Sequence, residues 1–448
     1  MPQPGDSPRA LGLLMCTALL VGNTIGMGIF MLPASLAPYG LNAVPAWLIT
    51  TTGCIFIAWV FAGLARTFAQ DDGPYAYTSR ALGHGVAFVL MWCYWVSTWI
   101  TNAVLVTGVV GYLSIFYPAL GTNHWLAAGT ALSLLWLFVL INVRGVHTAG
   151  GVQVWSTVLK LLPQVGVIAL GIWALFLPHP QPVVHVPTAP ITPGGLIAAS
   201  TLALYAMLGV ECAAMPAGRV RDPGRTIPRA TFIGTVLVAV IYMCVSLVPM
   251  LLLPQAELAA SNAPFADLFA RFLGSGSGKL LAAFVVVSGL GALNGWTLIL
   301  GELTVSFARH GGFPRALAKV NSHGAPTRAF VFTGLLASLM IVMSYNDSMS
   351  GAFTFLSVVV TAANLPIYFG CALAVIVLWR RGQLPRLGAR ESRWIAAAFI
   401  AIVYCGWVSI GIGGKPLLWA LALCAAGVPV YGVYWWYAQR GAVAGARA

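Results

Sequence analysis

Glycines and ionisable residues interrupt two long apolar segments of this sequence. In the first segment, 11–37, three glycines fall within seven positions, namely Gly22, Gly26 and Gly28. A glycine inside a helix costs about 1 kcal/mol relative to alanine. In a bilayer, backbone groups freed by a broken helix must find partners in protein, in a water-filled cavity or in a ligand. The pattern therefore favours a binding site at a mid-span break over the alternative, close helix packing through small residues.

A second break is expected in the segment 193–218, where Gly209 stands two residues before Glu211. A carboxylate at mid-span must be protonated, paired with a cation or hydrogen-bonded. Lys160, a little over two turns into the segment 152–177, and Glu302 are the other mid-span charges, and all three are candidate coupling residues. If all three are ionised, two carboxylates and one ammonium give a net mid-span charge of −1. That balance favours a cationic substrate.

Polar side chains recur at intervals of three and four in the aromatic segment 84–117, and therefore share one helix face. They are Tyr94, Ser97 or Thr98, and Thr101 or Asn102. Two interpretations stay open for the hydroxyl groups: contact with a substrate, or hydrogen bonds to the carbonyls of their own helix.

Composition places these residues in a membrane. The 448 residues are 59% hydrophobic and 7% charged, with a mean hydropathy of +0.88, whereas soluble domains have about 25% charged residues. Twelve apolar segments are long enough to span a bilayer. They are 11–37, 43–65, 84–117, 124–143, 152–177, 193–218, 230–253, 280–308, 329–345, 351–379, 394–411 and 416–438. The first runs on too long for a cleaved signal peptide and is expected to be retained.

The net charge of +13 is a topology signal. Of the 23 Lys and Arg residues, 19 fall in loops on the side of the N-terminus, which predicts cytoplasmic N- and C-termini and argues against nucleic acid as a partner. The eight cysteines lie in apolar segments without paired spacing, and the seven histidines lie in loops or at helix ends. No metal site, no cofactor and no membrane-embedded enzyme are expected.

The two predicted breaks lie in the first and sixth segments, about 180 residues apart. If each begins a unit of five helices, the odd number of spans inverts the second unit. We therefore predict one transmembrane domain over 1–448, with inverted repeats at 11–177 and 193–379 and accessory helices in 394–438.

Five motifs, in order along nearly the whole chain, resemble one known superfamily. They are Gly-Asn-Thr-Ile-Gly-Met-Gly-Ile-Phe at 22–30, Gly-Val-Glu at 209–211, the basic turn at 221–230, Asn-Gly-Trp-Thr at 294–297 and Gly-Gly-Phe-Pro at 311–314. They are similar to those of the amino acid-polyamine-organocation superfamily, and most resemble its basic amino acid/polyamine antiporters, whose substrates include arginine and agmatine. The resemblance implies an all-α membrane protein of the LeuT type, with five plus five inverted helices, broken helices 1 and 6, and two accessory helices.

The resemblance also implies the site. The substrate carboxylate is expected at the backbone of Gly26, Met27 and Gly28, and the ammonium at carbonyls near Thr24, Tyr205 and Leu208. Trp296 corresponds to the stacking aromatic residue. The remaining roles implied for side chains are polar contacts for Ser97, Thr98, Asn102 and Thr361, gates for Tyr94, Tyr205 and Phe369, and coupling for Glu211.

Three positions depart from the family pattern. Met27 replaces a small polar residue, Tyr205 replaces a tryptophan, and Lys160 resembles the helix-five lysine of sodium-independent amino acid transporters, whose ammonium takes the place of a sodium ion. The expected function is a sodium-independent exchanger or proton-coupled permease of a bacterial-type inner membrane, for cationic amino acids or their amines. Met27 and Lys160 favour the alternative, a neutral amino acid permease. The broken-helix pair argues against a channel. The expected partners are the substrate and membrane lipid, with a homodimer left open.

Overall fold

The computed structural model describes residues 12–68, 73–144, 149–176, 184–210, 220, 222–309, 312–345, 348–384 and 389–433. Over these residues the chain folds into helices joined by short turns. The helices that fall in the twelve predicted segments are α1 (Leu13–Thr24), α2 (Gly28–Leu36), α3 (Ala43–Thr67), α5 (His84–Leu113), α7 (His124–Val143), α8 (Ala149–Phe176), α9 (Pro193–Ala206), α10 (Pro223–Leu252), α13 (Ser275–Arg309), α14 (Thr327–Ser344), α15 (Met349–Arg380), α16 (Ala389–Ile410) and α17 (Gly414–Ala425).

Helix length and hydropathy agree with a chain that crosses the membrane many times. Nine helical stretches in the described residues are long and apolar enough to span a bilayer, and three shorter apolar helices cover 13–22, 159–174 and 193–206. Each of the twelve predicted segments overlaps at least one of these stretches, and the stretch 28–67 runs through parts of the first two. The all-helical, multi-span fold class is therefore confirmed, while the division into inverted repeats stays a prediction.

The first long segment is broken where its glycines cluster. Helix α1 ends at Thr24, Ile25 is extended (φ −73°, ψ 99°), and α2 begins at Gly28. The amide of Ile25 still donates to the carbonyl of Val21 at 3.0 Å, so the break is abrupt and falls immediately after it. The chain resumes as a fully buried half-helix.

The second break falls at Gly209. Helix α9 ends at Ala206, and Gly209 has φ +101°, a backbone conformation that favours glycine. The helix is therefore shorter than the segment 193–218 predicted. Glu211 lies just beyond, outside the described residues.

Two antiparallel helices, α5 and α15, form the centre of the bundle. Almost every residue of α5 between Ala87 and Tyr112 is buried, and α15 and α13 pack along it, whereas most of α17 is exposed. Arg381 donates from Nη1 to the carbonyl of Arg80 at 3.4 Å. The start of α5 and the end of α15 therefore share one side of the molecule, which we call the basic face.

Shorter helices between the spans lie outside the twelve predicted segments: α4 (Pro74–Leu82), α6 (Ala119–Thr122), α11 (Gln255–Ala260) and α12 (Pro264–Leu273). They are too short to cross a bilayer, which requires about 20 residues of helix. Helix α12 is amphipathic, with Phe265 buried and Arg271 paired at 2.7 Å to Glu257 on its exposed side. Burial raises the pKa of the Asp267 carboxyl, which accepts a hydrogen bond from Ser261.

Candidate functional site

The two helix breaks meet at one small cavity. Its volume is about 30 Å³, enough for one or two water molecules. An amino acid needs more room, so the walls of the cavity must separate before an amino acid can enter. The lining residues are Thr24, Gly26 and Gly28 from the first break, Tyr205, Ala206 and Leu208 from the second, Thr101 and Leu105 from α5, and Trp296 from α13.

Gly28 allows the two broken helices to touch. A Cβ atom at this position would lie 3.1 Å from Cε1 of Tyr205 and 3.3 Å from Cα of Ala206. Gly28 is also the first residue of α2, where amide groups lack helical partners and carry partial positive charge, while Thr24 and Ala206 end helices whose carbonyls carry partial negative charge. One cavity wall thus suits a carboxylate and another suits an ammonium.

Two neighbouring helices hold the end of α1. Lys160 of α8, with only 3% of its surface exposed, donates from Nζ to the carbonyl oxygen of Gly22 at 3.2 Å. Tyr242 of α10 donates its hydroxyl to the carbonyl oxygen of Thr24 at 3.0 Å. A buried ammonium at a helix C-terminus is favoured by the helix dipole. These bonds satisfy carbonyls that the break leaves without helical partners.

Aromatic rings form two sides of the cavity. Tyr205 is buried and packs edge-to-face on Phe353 of α15, with ring centroids 6.0 Å apart. Trp296 is half-buried and contributes an indole to the wall. An indole face attracts an ammonium or guanidinium by about 0.5–2 kcal/mol.

Hydroxyl groups near the cavity bond to their own helices. Ser97 and Thr98 donate to the carbonyl oxygen of Tyr94 at 2.7 and 2.8 Å. Thr101 donates to the carbonyl oxygen of Ser97 at 2.8 Å, and Thr361 donates to the carbonyl oxygen of Ser357 at 2.9 Å. Of these four, Thr101 lines the cavity. The structure therefore shows the back-bonded arrangement that the sequence left open.

Asn102 and Tyr94 lie beside the cavity wall rather than in it. Asn102 is 2% exposed and its Oδ1 has no hydrogen-bond partner. Tyr94 is also buried. It precedes Thr101 by seven residues on α5 and therefore lies about two turns nearer the basic face. Their roles as a polar contact and a gate stay predictions.

The Met27 side chain points away from the cavity. It is fully buried, and a Cβ on either Gly108 of α5 or Gly289 of α13 would press on its atoms. Met27 therefore fills a space between those two helices. Met27 is not among the residues that line the cavity, and its expected role beside the substrate carboxylate stays a prediction.

Two further predicted residues lie on the outside of the bundle. Phe369 is 41% exposed, and Glu302 is exposed on α13. Glu302 follows Trp296 by six residues, a separation that places it on a different face of α13. The structure does not bring them to the cavity, and their roles as a gate and a coupling residue stay predictions. Glu211 lies outside the described residues.

Comparison with known proteins decides the family. The family model described as amino acid permease matches residues 11–438. The chain belongs to the amino acid permease family. Its relatives include the cadaverine/lysine antiporter of Escherichia coli (strain K12), 32% identical over 374 residues that cover 82% of this permease and 83% of the relative.

Two other relatives cover even more of the permease. A putative arginine/ornithine antiporter of Bacillus subtilis (strain 168) is 32% identical over 432 residues, covering 90% of this chain and 91% of the relative. A putrescine transporter of Escherichia coli (strain K12) is 27% identical over 433 residues, covering 94% and 95%. The resemblance to basic amino acid/polyamine antiporters is thereby confirmed.

Sequence reasoning missed some residues of the permease site. Leu105 and Ala206 line the cavity, but their side chains carry no distinctive chemical group. Leu105 follows Thr101 by one helical turn, so the helical spacing in the sequence could have identified it. Tyr242 reaches the end of α1 from a helix more than 200 residues away. Nothing in its local sequence signals that contact.

Proposed function

We propose that this permease exchanges cationic amino acids for their amines across a bacterial inner membrane, by alternating access and without sodium. The substrate class comprises lysine, arginine and ornithine, with cadaverine, agmatine and putrescine as the amines. The observation that carries the proposal is the cavity in which two broken helices present opposite backbone poles beside Trp296.

Each part of such a substrate has a complementary wall. The carboxylate fits the amide end of α2 at Gly28, and the α-ammonium fits the carbonyl ends of α1 and α9 at Thr24 and Ala206. The cationic side chain fits the indole of Trp296. An amine lacks only the first of these contacts, which is why the same site can release one and take the other.

Lys160 supports exchange without sodium. Its ammonium already bonds the carbonyl of Gly22, and a metal cation at that carbonyl would be repelled by it. Glu211, next to the second break, is the proposed coupling carboxylate. We also propose that the basic face, with Arg80 and Arg381, is cytoplasmic, because basic loops are retained on that side.

The small size of the cavity supports alternating access. About 30 Å³ is too little for any of these substrates. We infer that the units 11–177 and 193–379 move relative to each other to open the cavity toward one side of the membrane at a time.

The test is exchange in proteoliposomes. Purified protein is reconstituted, preloaded with unlabelled lysine, arginine, ornithine, cadaverine, agmatine or putrescine, and supplied with the labelled counterpart outside, in sodium and in choline buffers. We expect uptake that depends on the internal substrate and is equal in the two buffers. Uptake of none of these compounds, or uptake that requires sodium, would contradict the proposal.

A neutral amino acid permease is the second candidate. It is favoured by the exposed position of Glu302, which removes one carboxylate from the interior while Lys160 remains buried. Competition of labelled uptake by all twenty amino acids, agmatine, cadaverine and putrescine separates the two. Inhibition by leucine or alanine but by no cationic compound would establish this alternative.

A further inference from the structure

We propose that the Asn364 side-chain amide is a polar subsite on the transport path, and that it lets substrates with and without a carboxylate pass. This inference rests on the proposed exchange of amino acids for amines. No family motif that identified the chain includes Asn364.

Asn364 is a buried amide with one end unsatisfied. It lies on α15 with 3% of its surface exposed, and its Oδ1 is 3.1 Å from Oγ of Ser97 on α5, within hydrogen-bond distance. Its Nδ2 has no hydrogen-bond partner. Buried polar groups are almost always bonded, so an unpaired one marks a place where a water or ligand belongs.

Both orientations of the Asn364 amide are compatible with a subsite. Ser97 has one hydroxyl proton, and the carbonyl of Tyr94 at 2.7 Å competes for it. A half-turn of the amide places Nδ2 against Oγ as donor and leaves Oδ1 unpaired instead. In either orientation one polar atom of Asn364 remains free, as a donor in the first case and as an acceptor in the second.

The amide lies between the cavity and the basic face. On α5, Ser97 is one turn from the cavity-lining Thr101, on the side of Arg80. On α15, Asn364 follows Phe353 by eleven residues, about three turns, on the same helix face, and Phe353 packs against the cavity residue Tyr205. A substrate that leaves the cavity toward the basic face therefore meets Asn364 early.

A neutral amide suits an exchanger whose two substrates differ by a carboxylate. Nδ2 can donate to the carboxylate of an amino acid, and Oδ1 can accept from an ammonium or guanidinium. A carboxylate side chain in this place would attract the cationic groups and repel the carboxylate of the amino acid. Asn364 thus determines that both substrate types can use the same path.

The test compares N364D with N364L in proteoliposomes, with labelled lysine and labelled cadaverine taken up separately. Wild-type exchange of both compounds is measured first, because its failure would refute the proposed function rather than this inference. The matched control is N123D, since Asn123 is an exposed N-cap of α7 and aspartate caps equally well.

We expect N364D to keep cadaverine uptake within about twofold and to lower lysine uptake about tenfold, and N364L to lower both. N123D should match wild type for both. Equal changes for lysine and cadaverine in N364D, or full activity of N364L, would overturn the inference. If N364D does not fold, Asn364→Ser replaces it. That variant keeps a neutral donor and acceptor, and loss of only one substrate class would contradict the subsite.

Discussion

The hydroxyl of Tyr242 donates to the carbonyl oxygen of Thr24 across 3.0 Å, at the last residue of the first half-helix. Thr24 also lines the cavity. One bond therefore connects α10 to the cavity. Because Lys160 holds Gly22 from α8 in the same way, the end of α1 is fixed from two directions before any substrate arrives.

Removal of that hydroxyl should weaken the folded state. Tyr242 is fully buried, so Tyr242→Phe leaves the Thr24 carbonyl without this partner, at a cost of about 1–3 kcal/mol. We expect a lower unfolding temperature in detergent and weaker substrate binding. Tyr117→Phe is the matched control, because Tyr117 is 58% exposed. Equal unfolding temperatures for Tyr242→Phe and wild type would show that the bond contributes nothing.

A methyl group at Gly28 should obstruct the meeting of the two breaks. In Gly28→Ala the added Cβ lies 3.1 Å from the Tyr205 ring and 3.3 Å from the backbone of Ala206, which is tighter than ordinary contact. Overpacking of this kind costs about 1–3 kcal/mol, enough to lower exchange about tenfold.

The control for this prediction is Gly406→Ala, the same change in α16 where no atom lies within 4 Å of the new Cβ. Its exchange rate should equal that of wild type, and its stability should rise by up to about 1 kcal/mol. If Gly28→Ala transports as fast as Gly406→Ala, the contact with Tyr205 is not needed.

Loss of the indole at 296 should distinguish cationic from neutral substrates. Trp296→Ala removes a cation–π contact worth about 0.5–2 kcal/mol, and we expect lysine and cadaverine to bind about 2- to 30-fold more weakly, relative to any change for leucine. Binding competition on purified protein measures both. Trp296→Phe should retain part of the difference, and Trp125→Ala, which removes an 80% exposed side chain, should retain all of it. Equal losses for lysine and leucine would refute stacking.

The sequence predicted the breaks well because their signals are local. The glycine cluster at 22–28 and the single Gly209 raise the cost of a continuous helix wherever the rest of the chain goes. The cavity then contains Thr24, Gly26, Gly28, Tyr205, Leu208 and Trp296, all expected from the resemblance.

Residues whose role depends on the direction of a side chain were harder to predict. Met27 stands between two glycines of the first break, yet its side chain enters a notch formed by Gly108 and Gly289, which belong to distant segments. Glu302 shares a helix with Trp296 but faces outward, because hydropathy identifies a span without giving its rotation about its axis. Such contacts are set by tertiary packing.

Lys160 offers a test that separates stability from function. Lys160→Met keeps an unbranched side chain, one atom shorter, but removes the ammonium that bonds the Gly22 carbonyl at 3.2 Å. Removal of a buried charge relieves its desolvation cost, which offsets the cost of about 1–3 kcal/mol for leaving the Gly22 carbonyl without this partner, so we expect an unfolding temperature close to that of wild type. Exchange should nevertheless fall about tenfold or more, because the end of α1 loses its cation. The control is Lys279→Met, since Lys279 is exposed. Full exchange by Lys160→Met would show that this ammonium has no part in transport, and a large drop in its unfolding temperature would show that it mainly stabilises the fold.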